Sequence, residues 1–493
     1  MCGPGRAAGF RVYPDERKES TTLGRPGQSH SSRRRRRRQR RRVAAGAVLV
    51  AAGAIIVLEA VGGTGQGRTR PPLPILRGSH AEVEATLRPI ARTIAWRVEK
   101  LRGLRFEQRP RVVVMGERRL AAVGRNLALR ERRRDRMHPS RLHATRRLER
   151  ASVGLDQLAG LLPPESSFGP DTTTTGLDRI GGAFDYPRNR IIIVPTLIQT
   201  RVQLSYTLAH ELTHALENQH FDLNLGRLTA PSERAEVHRA VIEGTATFVQ
   251  DLYRHRYLRD NVPVARRIDA MRSVIGAEHT PYAINAQAIF AYVDGGLFVH
   301  NLYSRAGGFR LVDRALRNPP RSSDQILHPR TWPGPGRGDP RVRLGISSLL
   351  RPDWRPVGGG TAGEERALAI LLAGAFGTQA TTGASGWAGG RFAVWRPRDP
   401  EEGCESGCGD GNVGVIAFRW QHHDDAEQFA VGVPAYMTLG LLAENLSPGR
   451  SWKVGDGYVA LGSATDASAL AFAPAEDLAR ALSRRAAGVA GGI

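Results

Sequence analysis

The chain has 493 residues, of which 41% are hydrophobic and 24% charged, and this excludes a disordered protein and allows two or three folded domains. Three cysteines exclude a disulfide scaffold. A net charge of +24 raises nucleic acid as a partner, but the excess sits in two blocks: residues 1–42 carry 14 basic against 3 acidic residues, and residues 102–150 carry 16 against 5.

The first block ends in RRRRRRQRRR at 33–42, and VAAGAVLVAAGAIIVLEAVGG follows at 43–63. That run is long enough to cross a bilayer, and arginines on its near side hold residues 1–42 in the cytoplasm as a tail. Because the run exceeds the usual apolar stretch of a cleaved signal peptide, residues 43–63 are read as a retained transmembrane signal-anchor. The domains after residue 64 are therefore expected outside the cytoplasm, and no nucleic-acid partner is expected. In that compartment Cys404 and Cys408 of CESGC suit a short loop staple, since a zinc ribbon needs a second cysteine pair.

Residues 64–79 read as a Pro/Gly linker. The spacing of Val83, Leu87, Ile90, Ile94, Val98 and Leu101 predicts a helix over 80–104. RVVVM predicts a strand and 117–160 one or two Arg-rich helices, whose charge is a solvated face in a chain with only three lysines. GGAFDY and RIIIVP, separated by Pro-Arg-Asn, predict a hairpin. Helices are then expected from near Val202, over 232–257 and over 283–303. From about 341 glycine and alanine become frequent and strands (RFAVWRP, VGVIAFRWQ, YVALGSA) alternate with helices, which predicts a small α+β domain over 341–493. The HHDD at 422–425 reads as a helix start.

The segment that carries chemistry is HELTHALENQH, residues 210–220. In a helix His210 and His214 point the same way, about 40° apart, so two imidazoles can share one ion. Leu204, Leu208, Leu212 and Leu216 fall on the opposite side and predict a core-facing back. Glu211 follows the first histidine and can reach a water on the metal as general base. The strand at 190–195 just before this helix is expected to be an edge that pairs an extended peptide.

Two residues compete to be the third ligand. His220 stands where metzincins place theirs, but Glu217 replaces the glycine that turns the chain there, and Met271 in RIDAMRS makes a poor methionine turn. On a continuing helix His220 lies about 280° round from His210. Glu243, in AVIEGTATF on the next helix, offers a carboxylate from a new direction and leaves one position open.

HELTHALENQHFDL, VIEGTAT, the FAYVDGGLFV segment and SDQILHP together resemble a group of bacterial, membrane-linked zinc metallopeptidases of the gluzincin type. The likeness covers roughly residues 178–330 and, more loosely, GWAGGRFAVW near 386. It implies an α+β protein with a mainly helical zincin-like domain over 80–340 that contains a small hairpin or sheet. It further implies a Zn2+ cofactor held by His210, His214 and Glu243, with Glu211 as base. Thr247 departs from thermolysin-like enzymes, which place an Asp there to orient a histidine. Tyr292 and His328 are candidates to stabilise the oxyanion.

The expected function is hydrolysis of peptide or protein substrates outside the cytoplasm by a membrane-anchored zinc peptidase. The alternative is a catalytically inactive metal-binding module, or a polyanion binder that uses residues 102–150.

Overall fold

The computed structural model describes residues 73–135, 139–164, 181–221, 223, 232–276, 282–334, 342–350, 352–374, 377–398 and 411–492. Residues 1–72, with the expected tail and signal-anchor, lie outside the described residues, as do Cys404 and Cys408. No helix among the described residues is long and apolar enough to cross a membrane.

The protein is α+β. The helical part contains α1 (His80–Arg102), α2 (Glu117–Asp135) and α3 (Pro139–Leu158), then α4 (Arg201–His220), α5 (Glu233–Tyr257) and α6 (Val264–Gly276). After them come α7 (Tyr282–Ala288), a π-helical turn (Ile289–Asp294), α8 (Gly295–Ala306), α9 (Arg310–Arg317) and α10 (Ser323–Leu327). Helices α1, α4 and α5 each start where the sequence supplies a cap. Ser79 and Glu82 form a capping box for α1, Thr200 and Gln203 one for α4, and the Ser232 side chain accepts the Ala235 N–H at α5.

The small sheet comprises β1 (Arg111–Val114), β2 (Gly182–Asp185) and β3 (Arg190–Ile193) in the order β1-β3-β2. The hairpin forms as expected, with β2 antiparallel to β3. The edge assignment does not hold: β1 lies parallel along the other side of β3, so β3 is central and β2 is the edge nearest α4. Ile191, Ile192 and Ile193 are buried, as a central strand requires.

The second sheet runs β4 (Trp354–Thr361), β5 (Trp387–Pro397), β6 (Val413–Trp420), β10 (Ala467–Ala473), β9 (Gly457–Ala464), β8 (Ser451–Val454) and β7 (Glu444–Ser447) in spatial order, every pair antiparallel. Helices cover both faces. One face carries large side chains such as Phe392, Phe418, Trp420 and Phe472, packed with α3, α11 (Glu364–Leu372), α12 (Gly377–Ala384) and α13 (His423–Ala435). The other is rich in alanine (Ala417, Ala460, Ala469, Ala471), which lets α14 (Glu476–Ala490) sit close. This explains the uninterrupted apolar reading of VGVIAF: β6 is buried on both sides. His422 caps α13 and its N–H donates to Asp425, in keeping with a helix start at HHDD.

Helix α3 crosses from the helical part to the large sheet. Ala151 and Leu155 share a core with Phe392 and Val394, and Asp156 pairs with Arg366 of α11.

Candidate metal centre

Helix α4 is buried along nearly its whole length, from Gln203 to Glu217. Leu204, Leu208, Leu212 and Leu216 form its back in the helical core. Its front is covered by α5, and three side chains meet there. His210 Nε2 is 3.1 Å from His214 Nε2, and Glu243 Oε2 lies 3.3 Å from the first and 3.2 Å from the second. Bonds of about 2.0–2.1 Å to a tetrahedral ion place two ligand atoms roughly 3.3 Å apart. The observed triangle thus has the edges such an ion imposes, and these residues can hold a metal.

The chemistry of the donors agrees. Both imidazoles and the carboxylate are at most 2% exposed. Gln250, two turns beyond Glu243 on α5, places its Oε1 3.1 Å from His210 Nδ1. With Nδ1 donating to that oxygen, Nε2 carries the lone pair and faces the shared point. Burial raises the Glu243 carboxyl, but His214 and His210 outweigh it and hold it at about 2, so it is an anion ready to ligate.

Glu211 is fully buried beside the triangle. Burial pushes its carboxyl up to about 7; His210 opposes that shift and Glu243 adds to it. Neither carboxylate oxygen has a hydrogen-bond partner within normal distance among the described residues, and the Phe184 backbone N–H opposes the upward shift. An orphaned buried carboxylate is costly, and here it lies next to the point where a metal would hold water. A bound dication would draw its pKa down again.

Glycines set the approach of the elements. A Cβ on Gly182 would collide with Thr207 and crowd Glu211, so the start of β2 can lie against α4 only as glycine. A Cβ on Gly244 would fall on the backbone of Gly295, which brings α5 and α8 into contact beside Glu243.

The remaining candidates separate. His220 is the last residue of α4, exposed, with Nε2 2.7 Å from the Arg105 carbonyl. Glu217 does not turn the chain but is buried and bound to Arg102 at 2.8 Å, which also reaches Asp313. Met271 lies within α6, not in a turn. Tyr292 sits on the π-helical turn with its ring 6.1 Å from that of His210. His328 is absent from this group: it caps the end of α10 and its Nε2 is 2.7 Å from Glu364.

Two residues at the site escaped the sequence reading. One is Gln250, which meets His210 Nδ1; the signal for it was the seven-residue spacing from Glu243, which returns to the same helix face. Tyr186, in the turn of the hairpin, places its ring 6.4 Å from that of His214. Its hydroxyl is buried without a hydrogen-bond partner among the described residues, and burial, then Glu243 and Glu211, raise its pKa well above 10.0.

Residues 355–482 match a domain family of unknown function, DUF8575. The match covers the large sheet and the first half of α14 and does not reach the metal centre. No curated protein and no solved structure matches the chain.

Proposed function

We propose that the protein is a zinc-dependent peptidase, held at the membrane by residues 43–63 and acting on peptides outside the cytoplasm. The observation that supports this reading best is the His210–His214–Glu243 triangle with the orphaned Glu211 carboxylate beside it. Three protein ligands leave one coordination position open, as catalytic zinc sites do. When bound, zinc supplies a Lewis acid that polarises a carbonyl and makes water more acidic.

The chain supplies the rest. Glu211 takes the proton from water and passes it to the leaving amine, a role suited to a carboxyl lifted by burial. Gln250 holds His210 in the tautomer that ligates. Tyr186 offers a protonated hydroxyl, kept neutral by burial, as donor to the developing oxyanion. Strand β2, an edge of the small sheet among the described residues and the one nearest α4, is the strand that would pair an extended substrate.

The test is zinc content and hydrolysis of casein side by side. Glu211→Gln should retain zinc and lose turnover, while Glu243→Gln should lower zinc affinity about 100-fold or more. Retained turnover in Glu211→Gln points to a different base, whereas zinc-loaded wild type that does not hydrolyse casein sinks the peptidase reading and leaves a metal-binding module. Tyr186→Phe should keep zinc and reduce kcat by about 100-fold; an unchanged kcat removes Tyr186 from the mechanism.

A further inference from the structure

A cavity lies between the helical part and the large sheet. Its walls come from α5, from α7 and the π-helical turn, from the segment after α3 and from α11. The Ala283 N–H donates to the Leu161 carbonyl at 2.9 Å and ties two of these walls together. The cavity measures about 530 Å3, its open mouth included, which is within the range of small-molecule sites. Leu161, Ala283, Phe290 and Ala369 make much of the wall apolar.

Two carboxyl groups from different helices meet in that apolar setting. Glu236 of α5 is 7% exposed, and Glu365 of α11 has its Oε2 buried with no hydrogen-bond partner among the described residues. Burial, then Glu236 and Glu233, push the Glu365 carboxyl well above its usual range, and Arg366 opposes this only in part. A proton therefore neutralises the pair when nothing else does. Arg366 is bound to Asp156 and to Ser152 Oγ. Arg239 lines the same wall, so the charge there is mixed, and it is the adjacency of two carboxyls, not a net charge, that favours a cation.

We propose that this cavity takes the guanidinium or ammonium of a basic side chain, held between Glu236 and Glu365 with its aliphatic stem along Leu161, Ala283, Phe290 and Ala369. The cation replaces the shared proton, which leaves to water. A guanidinium carries enough N–H donors to reach Glu365 Oε2 and the Glu236 carboxylate together. Resting on the peptidase reading, the side chain belongs to the substrate, because the cavity adjoins the metal centre along two elements. Glu236 precedes Glu243 by two turns of α5, about 10 Å along the axis and on the same face. Phe290 and Ala291 of the cavity wall lead directly to Tyr292, whose ring is 6.1 Å from that of His210. An extended peptide covers 10 Å in about three residues, so the site selects peptides with an arginine or lysine within about three residues of the scissile bond.

Butylguanidine, which mimics an arginine side chain, and its neutral isostere butylurea test the cavity without reference to activity. Titration calorimetry on the full chain should show one saturable site for butylguanidine and at least about 10-fold weaker binding of butylurea. Glu236→Gln and Glu365→Gln should each weaken butylguanidine by a similar factor. No saturable binding to the wild type, or equal binding of the two probes, overturns the proposal, and this comparison stands even if the variants fail to fold. Undiminished binding in both folded variants overturns it as well. Cleavage of a peptide library by the wild type then separates the site from the reading it rests on. Cuts enriched for arginine or lysine within about three positions, with the enrichment lost in Glu365→Gln, uphold the proposal; cuts without that enrichment overturn the assignment to the substrate. Butylguanidine binding that needs both carboxyls, in a chain that cleaves nothing, upholds the cation site and sinks the peptidase reading.

Discussion

A histidine ligates well only when its second nitrogen is fixed, and at His210 that task falls to Gln250. Spacing made His210, Glu211 and His214 legible, because four residues in a helix return to one face. Glu243 was legible through the second amphipathic helix. Gln250 was not, since an uncharged amide carries no motif; Thr247, nearer Glu243 on the same helix, is buried with its hydroxyl unpartnered among the described residues. Tyr186 was hidden for a different reason: it comes from a turn whose contact with α4 depends on Gly182 and on the sheet register. Removing the Gln250 amide should loosen His210 without removing a ligand. Gln250→Ala is expected to weaken zinc binding by about 10–100-fold, with Glu243→Gln weaker still. Competition with a chromophoric chelator measures both, and equal affinity in wild type and Gln250→Ala would show that the amide is a bystander.

At the scale of elements, the helices and the hairpin were readable from periodicity and caps, and their partners were not. The hairpin signal joins β2 to β3 because they are close in sequence, but β1, on the other side of β3, is far away and follows no local rule. The segment 283–303 reads as one helix, whereas Ile289–Asp294 forms a π-helical turn. One extra residue in a turn leaves almost no trace in a 3.6-residue pattern, and such turns concentrate at functional sites. Here it carries Tyr292 toward His210. The contact of α5 with α8 beside Glu243 rests on two glycines, both visible in the sequence as EG and DGG but without a reason until the helices meet. In Gly244→Ala the added methyl must displace backbone, not a flexible side chain. A loss of about 1–3 kcal/mol is expected, measured by chemical denaturation, together with weaker zinc binding because Glu243 is the neighbouring residue. Unchanged stability would mean that α8 moves aside freely.

Composition changes near residue 341, which suggests a boundary in the sequence, but the packing crosses it. Helix α3 contributes Ala151 and Leu155 to the core under the large sheet, and a Cβ on Gly358 of β4 would fall on the backbone of Arg147. Asp156 and Arg366 form a buried ion pair across the same contact, and Gly414 of β6 lies against Leu158. Breaking such a pair by removing one member costs about 3–5 kcal/mol, and exposing the apolar face of α3 adds about 25 cal/mol for each Å2 returned to water. Neither part therefore carries its stability alone. The described residues should unfold in one calorimetric transition, and a chain that ends at residue 340 should aggregate or lack a cooperative melt, because α3 loses the sheet it packs on. Two well-separated transitions in the full chain, or a soluble and cooperatively folded 73–340 fragment, would show that the α3 contact is only a weak interface between independent halves.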